Sequence, residues 1–255
     1  MPMFRNAIVC TPCPAVIDGI TSSGLGKPVY ALAIEQHAKY VDTLRLLELN
    51  VRVLPKKELC PDSTFIEDTA ICTSSCAIIT SPALPSRQGE ITGMREVLGE
   101  FYNSIEEILF PATLEAGDVL MAGNHFYIGI SSRTNSGGVN QLIKILNKYN
   151  LTGSKVSLDK MLHLKSGVSY LENNNMLVSG EFVKNKVFEN YNRITVDEDE
   201  SYAANSLWIN GIVLVPDGFP KTRIKIENAG YETISLNISE FRKIDGGLSC
   251  LSLRF

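Results

Sequence analysis

The 255-residue chain is 44% hydrophobic and 20% charged, ordinary globular values that exclude a disordered, collagen-like or coiled-coil protein. Its formal net charge of −4 supplies no basic face for nucleic acid and suits a cationic ligand better. No apolar run approaches the ~18 residues of a membrane span, and only a four-residue apolar stretch precedes Thr11, too short for a signal peptide, so no membrane and a cytoplasmic location are expected.

In chain order, Phe4–Cys10 reads as a strand. Cys10 and Cys13 are spaced like a redox pair, but Pro14 follows and no helical period begins before about Pro28, so no helix N-terminus lowers the thiol pKa. Cys10, Cys13, Cys72 and Cys76 have irregular spacing and no nearby histidine. They read as small buried hydrophobes, not as a zinc site, and no metal or cofactor is expected. Six cysteines in a chain with no leader are expected to be reduced thiols. Pro28–Leu49 is a long amphipathic segment (Ile34, Ala38, Val41, Leu44), followed by a strand at Val51–Leu54.

From there the chain repeats a strand–turn–strand unit. Polar breaks fall at Ser74-Ser75, Gly123-Asn124, Asn173-Asn174 and Asn210-Gly211, the last a strong hairpin signal. From Ser74 through Asn124 and Asn174 to Asn210 the steps are 50, 50 and 36 residues. Helical stretches lie between the hairpins, near 89–103, 138–149, 184–191 and 221–229, each followed by a short β-rich run. Gly247–Phe255 is a strand with nothing after it to pair with, and Phe4–Cys10 one with nothing before it. The fifth hairpin is therefore expected to be split across the termini, giving five ββαβ units closed into a ring that protects its sheet edges. A two-domain open α/β sheet is the alternative and leaves the matched steps as coincidence.

Each unit carries a polar loop before its hairpin: Asp62–Asp68, Leu114–Asp118, His163–Gly167, Glu200–Asn205 and Ile244–Cys250. In a ring these loops are equivalent and converge, bringing together a thiol, an imidazole and several carboxylates, the constellation of nucleophilic catalysis. Cys250 alone could be a core residue, but Gly246-Gly247 before it permits close backbone approach. His163, between two leucines, also has a core reading. His37 and His125 read as surface residues. Phe65-Ile66 and Ala70-Ile71 bury the pair Glu67-Asp68, which then needs a cation. Phosphate-cradling glycine loops and HExxH are absent from the sequence.

Nine blocks in order resemble the dimethylarginine dimethylaminohydrolases. They are Ile17–Ser23, Leu25–Pro28, Phe65–Asp68, Ser86-Arg87, Leu114–Asp118, Arg133–Asn135, His163–Lys165, Ser201–Asn205 and Lys243–Cys250. The resemblance runs from about Ile8 to the C-terminus and is strongest to the short bacterial members. It implies the pentein fold, a five-bladed pseudo-symmetric α/β propeller with its terminal strands paired, as one catalytic domain over 1–255. It implies Cys250 as nucleophile, His163 as acid and base, and Glu115 as the residue orienting His163. Asp62, Glu67 and Asp68 would fix the substrate cation, and Arg87 and Arg133 its α-carboxylate. Ile20 and Ile244 would line the substrate, under a glycine-rich lid at Ile17–Lys27. The partner implied is a small cationic amino acid, with a homodimer left open. Deiminases of the same superfamily carry an Asp two residues after the histidine, where this chain has Lys165. Thr69, often Pro in close bacterial members, and Ile20, a Leu there, depart from the pattern. The alternatives are a deiminase of arginine or agmatine, another small-guanidine hydrolase, and a non-catalytic pentein binding ring.

Overall fold

The computed structural model describes residues 4–255; the first three residues of the N-terminal stretch read above for a leader lie outside them. In order, the elements are β1 (Asn6–Cys10), α1 (Tyr30–Leu46), β2 (Asn50–Leu54), β3 (Ala70–Cys72), β4 (Ala77–Ile79), α2 (Met94–Gly99) and β5 (Ile105–Glu107). Then come β6 (Val119–Ala122), β7 (His125–Ile130), α3 (Ser136–Lys148), β8 (Thr152–Ser157), β9 (Val168–Tyr170), β10 (Asn175–Val178) and β11 (Asn192–Thr195). The series ends with β12 (Leu207–Ile209), β13 (Ile212–Pro216), α4 (Pro220–Asn228), β14 (Glu232–Leu236), α5 (Ser239–Arg242) and β15 (Leu253–Arg254).

Five three-stranded sheets obey one rule: the middle strand pairs antiparallel with its hairpin partner and parallel with the strand that follows. The order is β3-β4-β5, β6-β7-β8, β9-β10-β11 and β12-β13-β14, with the fifth sheet β15-β1-β2. In that last sheet Ala7 faces Arg254 and Ile8 faces Leu253, so the two termini supply the split hairpin. The parallel contacts explain why middle strands such as Ala7–Cys10 are continuously apolar instead of alternating.

The chain forms two compact units, one of residues 4–67 with 206–255 and the other of 68–205. In the first, α1 buries Ala33, His37, Tyr40, Val41 and Leu44. In the second, α3 starts at the Asn135 cap, whose side chain accepts from the Gly138 amide, and sinks Val139, Leu142, Ile145 and Leu146 into a core with Ile78, Leu114, Phe126 and Ile128.

Three expectations need correction, and one element carried no signal. The stretch 184–191 is not an α-helix; it keeps a single 3₁₀ turn, Lys186–Phe188, capped at its start by the Asn185 side chain, which accepts from the Val187 amide. That missing helix accounts for the short 36-residue step. In 89–103 only Met94–Gly99 is α-helical, after a 3₁₀ run at Pro85–Ile91. The short α5 had no signal in the periodicity. His37 is no surface residue; α1 turns it inward and it is 4% exposed.

Candidate active site

The second unit assembles its polar loops around His163. Asp68 lies in the turn before β3, Glu115 precedes and Asp118 ends the turn before β6, and His163 precedes the turn before β9. These are equivalent places in three consecutive repeats. Arg87 comes from the 3₁₀ run before α2, and Arg133 from the loop between β7 and α3. Gly117 is required by close approach: a Cβ there would stand 2.9 Å from Cγ of His163 and 3.0 Å from Oδ1 of Asp68.

Arg87 is buried among carboxylates. Its Nη1 donates to Asp68 Oδ2 at 2.9 Å and to Glu115 Oε2 at 3.1 Å, while Nε and Nη2 donate to Glu90 at 3.1 and 2.8 Å. Arg133 Nη1 lies 3.4 Å from both oxygens of Glu115. His163 Nε2 stands 3.6 Å from Glu115 Oε2 and Nδ1 stands 3.3 Å from Asp118 Oδ1. The expected α-carboxylate clamp thus contains one arginine, Arg87, whose guanidinium fork is already bonded to three side chains, and one, Arg133, that is partly accessible.

Burial and charge compete here, and charge decides. Burial alone would raise Asp68, but the Arg87 guanidinium, the imidazole and the Gly117 amide hold it at about 2. Burial, then the neighbouring Asp68 charge, pushes Glu115 up. Burial would lower His163, but Asp118, Asp68 and Glu115 outweigh it and favour the imidazolium. Donor atoms of Asp68, Glu115 and His163 lie within 4.8 Å of one another, close enough for a metal. Arg87 already bridges two of the three, so the oxygens are arranged about a guanidinium.

The first unit builds the setting of Cys250. The cysteine sits on the turn Ser249–Leu251, partly exposed, and its Sγ accepts from the Gly247 amide at 3.4 Å. Gly246 lies against the Phe65 ring, which a Cβ would penetrate. The flanking residues are pinned by a buried network. Glu67 accepts from Ser249 Oγ at 2.7 Å and from Arg254 Nη2 at 2.9 Å. Arg254 also donates to the Ser249 carbonyl at 3.0 Å, and the Tyr40 hydroxyl donates to the Leu248 carbonyl at 3.0 Å. Burial pushes Tyr40 up to about 12. Both Glu67 oxygens are therefore engaged, one by Ser249 and one by Arg254, where the resemblance gave this residue the substrate cation.

The segment expected as a lid is bonded to the stretch that leads to Cys250. Thr21 and Ser23 hydroxyls donate to the Lys243 carbonyl at 2.7 and 2.8 Å, and the Ser22 amide donates to Asp245 Oδ2 at 2.6 Å. Asp62 accepts from the Ile20 amide at 3.0 Å, and Ile244 is buried beside it. So His163, Glu115, Asp68, Arg87 and Arg133 share one unit, and Cys250, Glu67, Asp62, Ile20 and Ile244 the other. Sequence reasoning missed Glu90, whose only signal was its three-residue spacing from Arg87. It also missed Asp118 as a neighbour of the imidazole, and the Tyr40–Arg254 network.

A family model described as arginine deiminase matches residues 58–203. The chain is 51% identical to the N(G),N(G)-dimethylarginine dimethylaminohydrolase of Pseudomonas aeruginosa over 99% of this chain and 100% of that protein. A crystal structure of the Pseudomonas aeruginosa protein, a cysteine-to-serine mutant complexed with citrulline, superposes with a TM-score of 0.98 at 50% identity, covering 100% of both chains. A histidine-to-glycine dimethylarginine dimethylaminohydrolase in adduct with S-methyl-L-thiocitrulline gives 0.98 at 51% identity, covering 99% of this chain and 100% of that one. With the five three-stranded sheets, this likeness makes the fold the pentein one, a five-bladed α/β propeller.

Proposed function

The chain belongs to the dimethylarginine dimethylaminohydrolase family, and from that premise we propose that it hydrolyses Nω-methylated L-arginine to L-citrulline and dimethylamine or methylamine, as a single catalytic domain. The observation that carries the reading is the buried imidazole of His163, kept ready to hold a proton by Asp118, Asp68 and Glu115. A group that must protonate a departing amine needs that bias.

The substrate guanidinium has a pKa above ~12 and arrives as a cation. Asp68, ionised because Arg87 and its neighbours hold it down, supplies negative charge for it, with Asp62 as a second carboxylate. Arg133, the accessible arginine, takes the α-carboxylate, and Arg87 sets the carboxylates in place behind it. Glu67 acts through Ser249 on the turn that carries Cys250. The Cys250 thiolate attacks the guanidinium carbon, and the carbon–sulfur bond forms as the carbon–nitrogen bond to the methylated amine breaks. His163 gives that amine its proton. The same imidazole then takes a proton from water, which displaces the thiolate from the thiouronium and leaves citrulline. The segment Ile17–Lys27 excludes water as the lid. Lys165, at the place of the deiminase aspartate, makes no demand for N–H donors that a dimethylated nitrogen lacks. Among the described residues no helix is long and apolar enough to cross a membrane.

The test compares citrulline formation from asymmetric dimethylarginine, monomethylarginine, arginine and agmatine. Methylated substrates are expected to turn over with the highest kcat/KM, and Cys250→Ser to abolish turnover. Preference for arginine or agmatine makes the chain a deiminase, and activity in Cys250→Ser removes the nucleophile assignment.

A further inference from the structure

Two carboxylates flank the imidazole, and they are held differently. Glu115 stands near Nε2 at 3.6 Å and is itself shared with Arg87 and Arg133. Asp118 has 0% exposure and stands near Nδ1 at 3.3 Å. Its Oδ2 accepts from the Ser131 hydroxyl at 2.6 Å and the Thr134 hydroxyl at 2.7 Å, and its Oδ1 accepts from the Leu164 amide at 3.1 Å. A carboxylate offers about four acceptor positions. Three are filled by donors that fix its plane, two from the β7–α3 loop and one from the residue after His163. Nδ1 is buried without a formed hydrogen bond among the described residues, and Asp118 Oδ1 at 3.3 Å is the carboxylate oxygen beside it. On the other side the ring lies against Gly117, so closely that a Cβ there would stand 2.9 Å from Cγ.

We infer that Asp118 is the positioning residue of His163: it receives the Nδ1 proton, fixes the tautomer and ring plane, and leaves Nε2 as the nitrogen that exchanges protons with the leaving amine and with water. Glu115 then balances charge at Nε2 and does not set the orientation. This deepens the proposed hydrolysis and rests on it for the proton-transfer role of His163. The groups facing the ring are Asp118, Asp68 and Glu115, with Arg87 and Arg133 bonded behind the last two. All three carboxylates favour the imidazolium, so a titration alone does not separate them. The tautomer of the neutral ring does, because a neutral imidazole keeps its proton on the nitrogen whose partner accepts it.

The experiment is a long-range proton–nitrogen correlation spectrum of the full chain labelled with 15N-histidine, recorded above the imidazole transition and assigned with His163→Gln. Wild type and Glu115→Gln are expected to carry the neutral proton on Nδ1. Asp118→Asn presents an amide donor instead and is expected to move it to Nε2, with kcat for methylarginine falling ~10²–10⁴-fold and KM within about threefold. A proton on Nε2 in wild type overturns the inference, and this needs no variant, so a misfolded Asp118→Asn does not protect it. A tautomer that follows Glu115→Gln, or an Asp118→Asn protein with the wild-type tautomer and kcat, also overturns it. If wild type shows the Asp118-dependent tautomer and turns over no methylated arginine, the positioning contact stands and the hydrolase reading falls.

Discussion

His163 and His37 are both buried, at 9% and 4% exposure, yet their proton affinities move in opposite directions. Burial lowers both. Around His163 three carboxylates reverse the effect and raise it. Around His37 the backbone hydrogen bond at Cys10 only softens it, the pKa falls to about 4, and Nε2 has no hydrogen-bond partner among the described residues. The two units differ in the same way. The histidine unit places Asp68, Glu90, Glu115, Asp118 and Arg87 together out of water, so its chemistry is set by fixed charge. The cysteine unit holds Cys250 with a backbone amide, a packed glycine and a buried pair, Glu67–Arg254. Burial says that a side chain is shielded; the neighbours decide what it does.

Cys250→Ser sharpens the contrast most. Turnover is expected to vanish in a citrulline assay, while stability in urea changes by under ~0.5–1 kcal/mol, because the side chain is partly exposed and serine is close to it in size. Arg87→Ala should do the reverse to the fold. Removing the cation from three buried carboxylates costs about 3–5 kcal/mol, read as a lower urea midpoint. An Arg87→Ala protein with wild-type stability breaks the idea that fixed charge organises this unit.

The pH profiles of the two histidines come next. His37 has a depressed folded pKa, so its contribution is present above about 6.5 and is lost as pH falls from there towards 4. The loss is on the order of 3 kcal/mol at most, and His37→Gln should flatten this acid limb in Tm measured against pH. His163 has the opposite sign: raised in the fold, its contribution is complete below 6.5 and is lost as pH rises through the folded value. His163→Gln should remove an alkaline limb and leave the acid one.

Gly117→Ala sets a methyl 2.9 Å from the imidazole carbon. It should cost about 1–3 kcal/mol by overpacking and lower kcat more than it changes KM. Ser22→Ala, on the exposed segment 17–27, should be the mildest change. Stability is expected to stay within ~0.5 kcal/mol, with KM up a few-fold in steady-state kinetics as the hydroxyl bond to Asp245 is lost and the backbone one is kept.

Much of the fold was legible because hairpin chemistry is local. Asn210 and Gly211 both take positive φ, 49° and 99°, as a two-residue turn of that sequence should. The split fifth sheet followed from counting strands without partners. The helix at 184–191 was misread because its apolar spacing fits a helix, while the chain makes one 3₁₀ turn there and then enters β11 at Asn192. His37 was misread because the α1 pattern is weak and His fits either face.

By itself the sequence determined the repeat, the strand pairs and the identity of Cys250, His163, Glu115 and Asp68 as candidates, since turns, periodicity and residue type act over a few neighbours. Only the tertiary structure decided that Arg87 sits among Asp68, Glu90 and Glu115, that Glu67 is bonded to Ser249 and Arg254, and that Asp118 stands at Nδ1 of His163. Partners as far apart as 187 residues in the chain, as Glu67 and Arg254 are, meet only after folding, and which charge lies beside which is what fixes a buried group's protonation and reach.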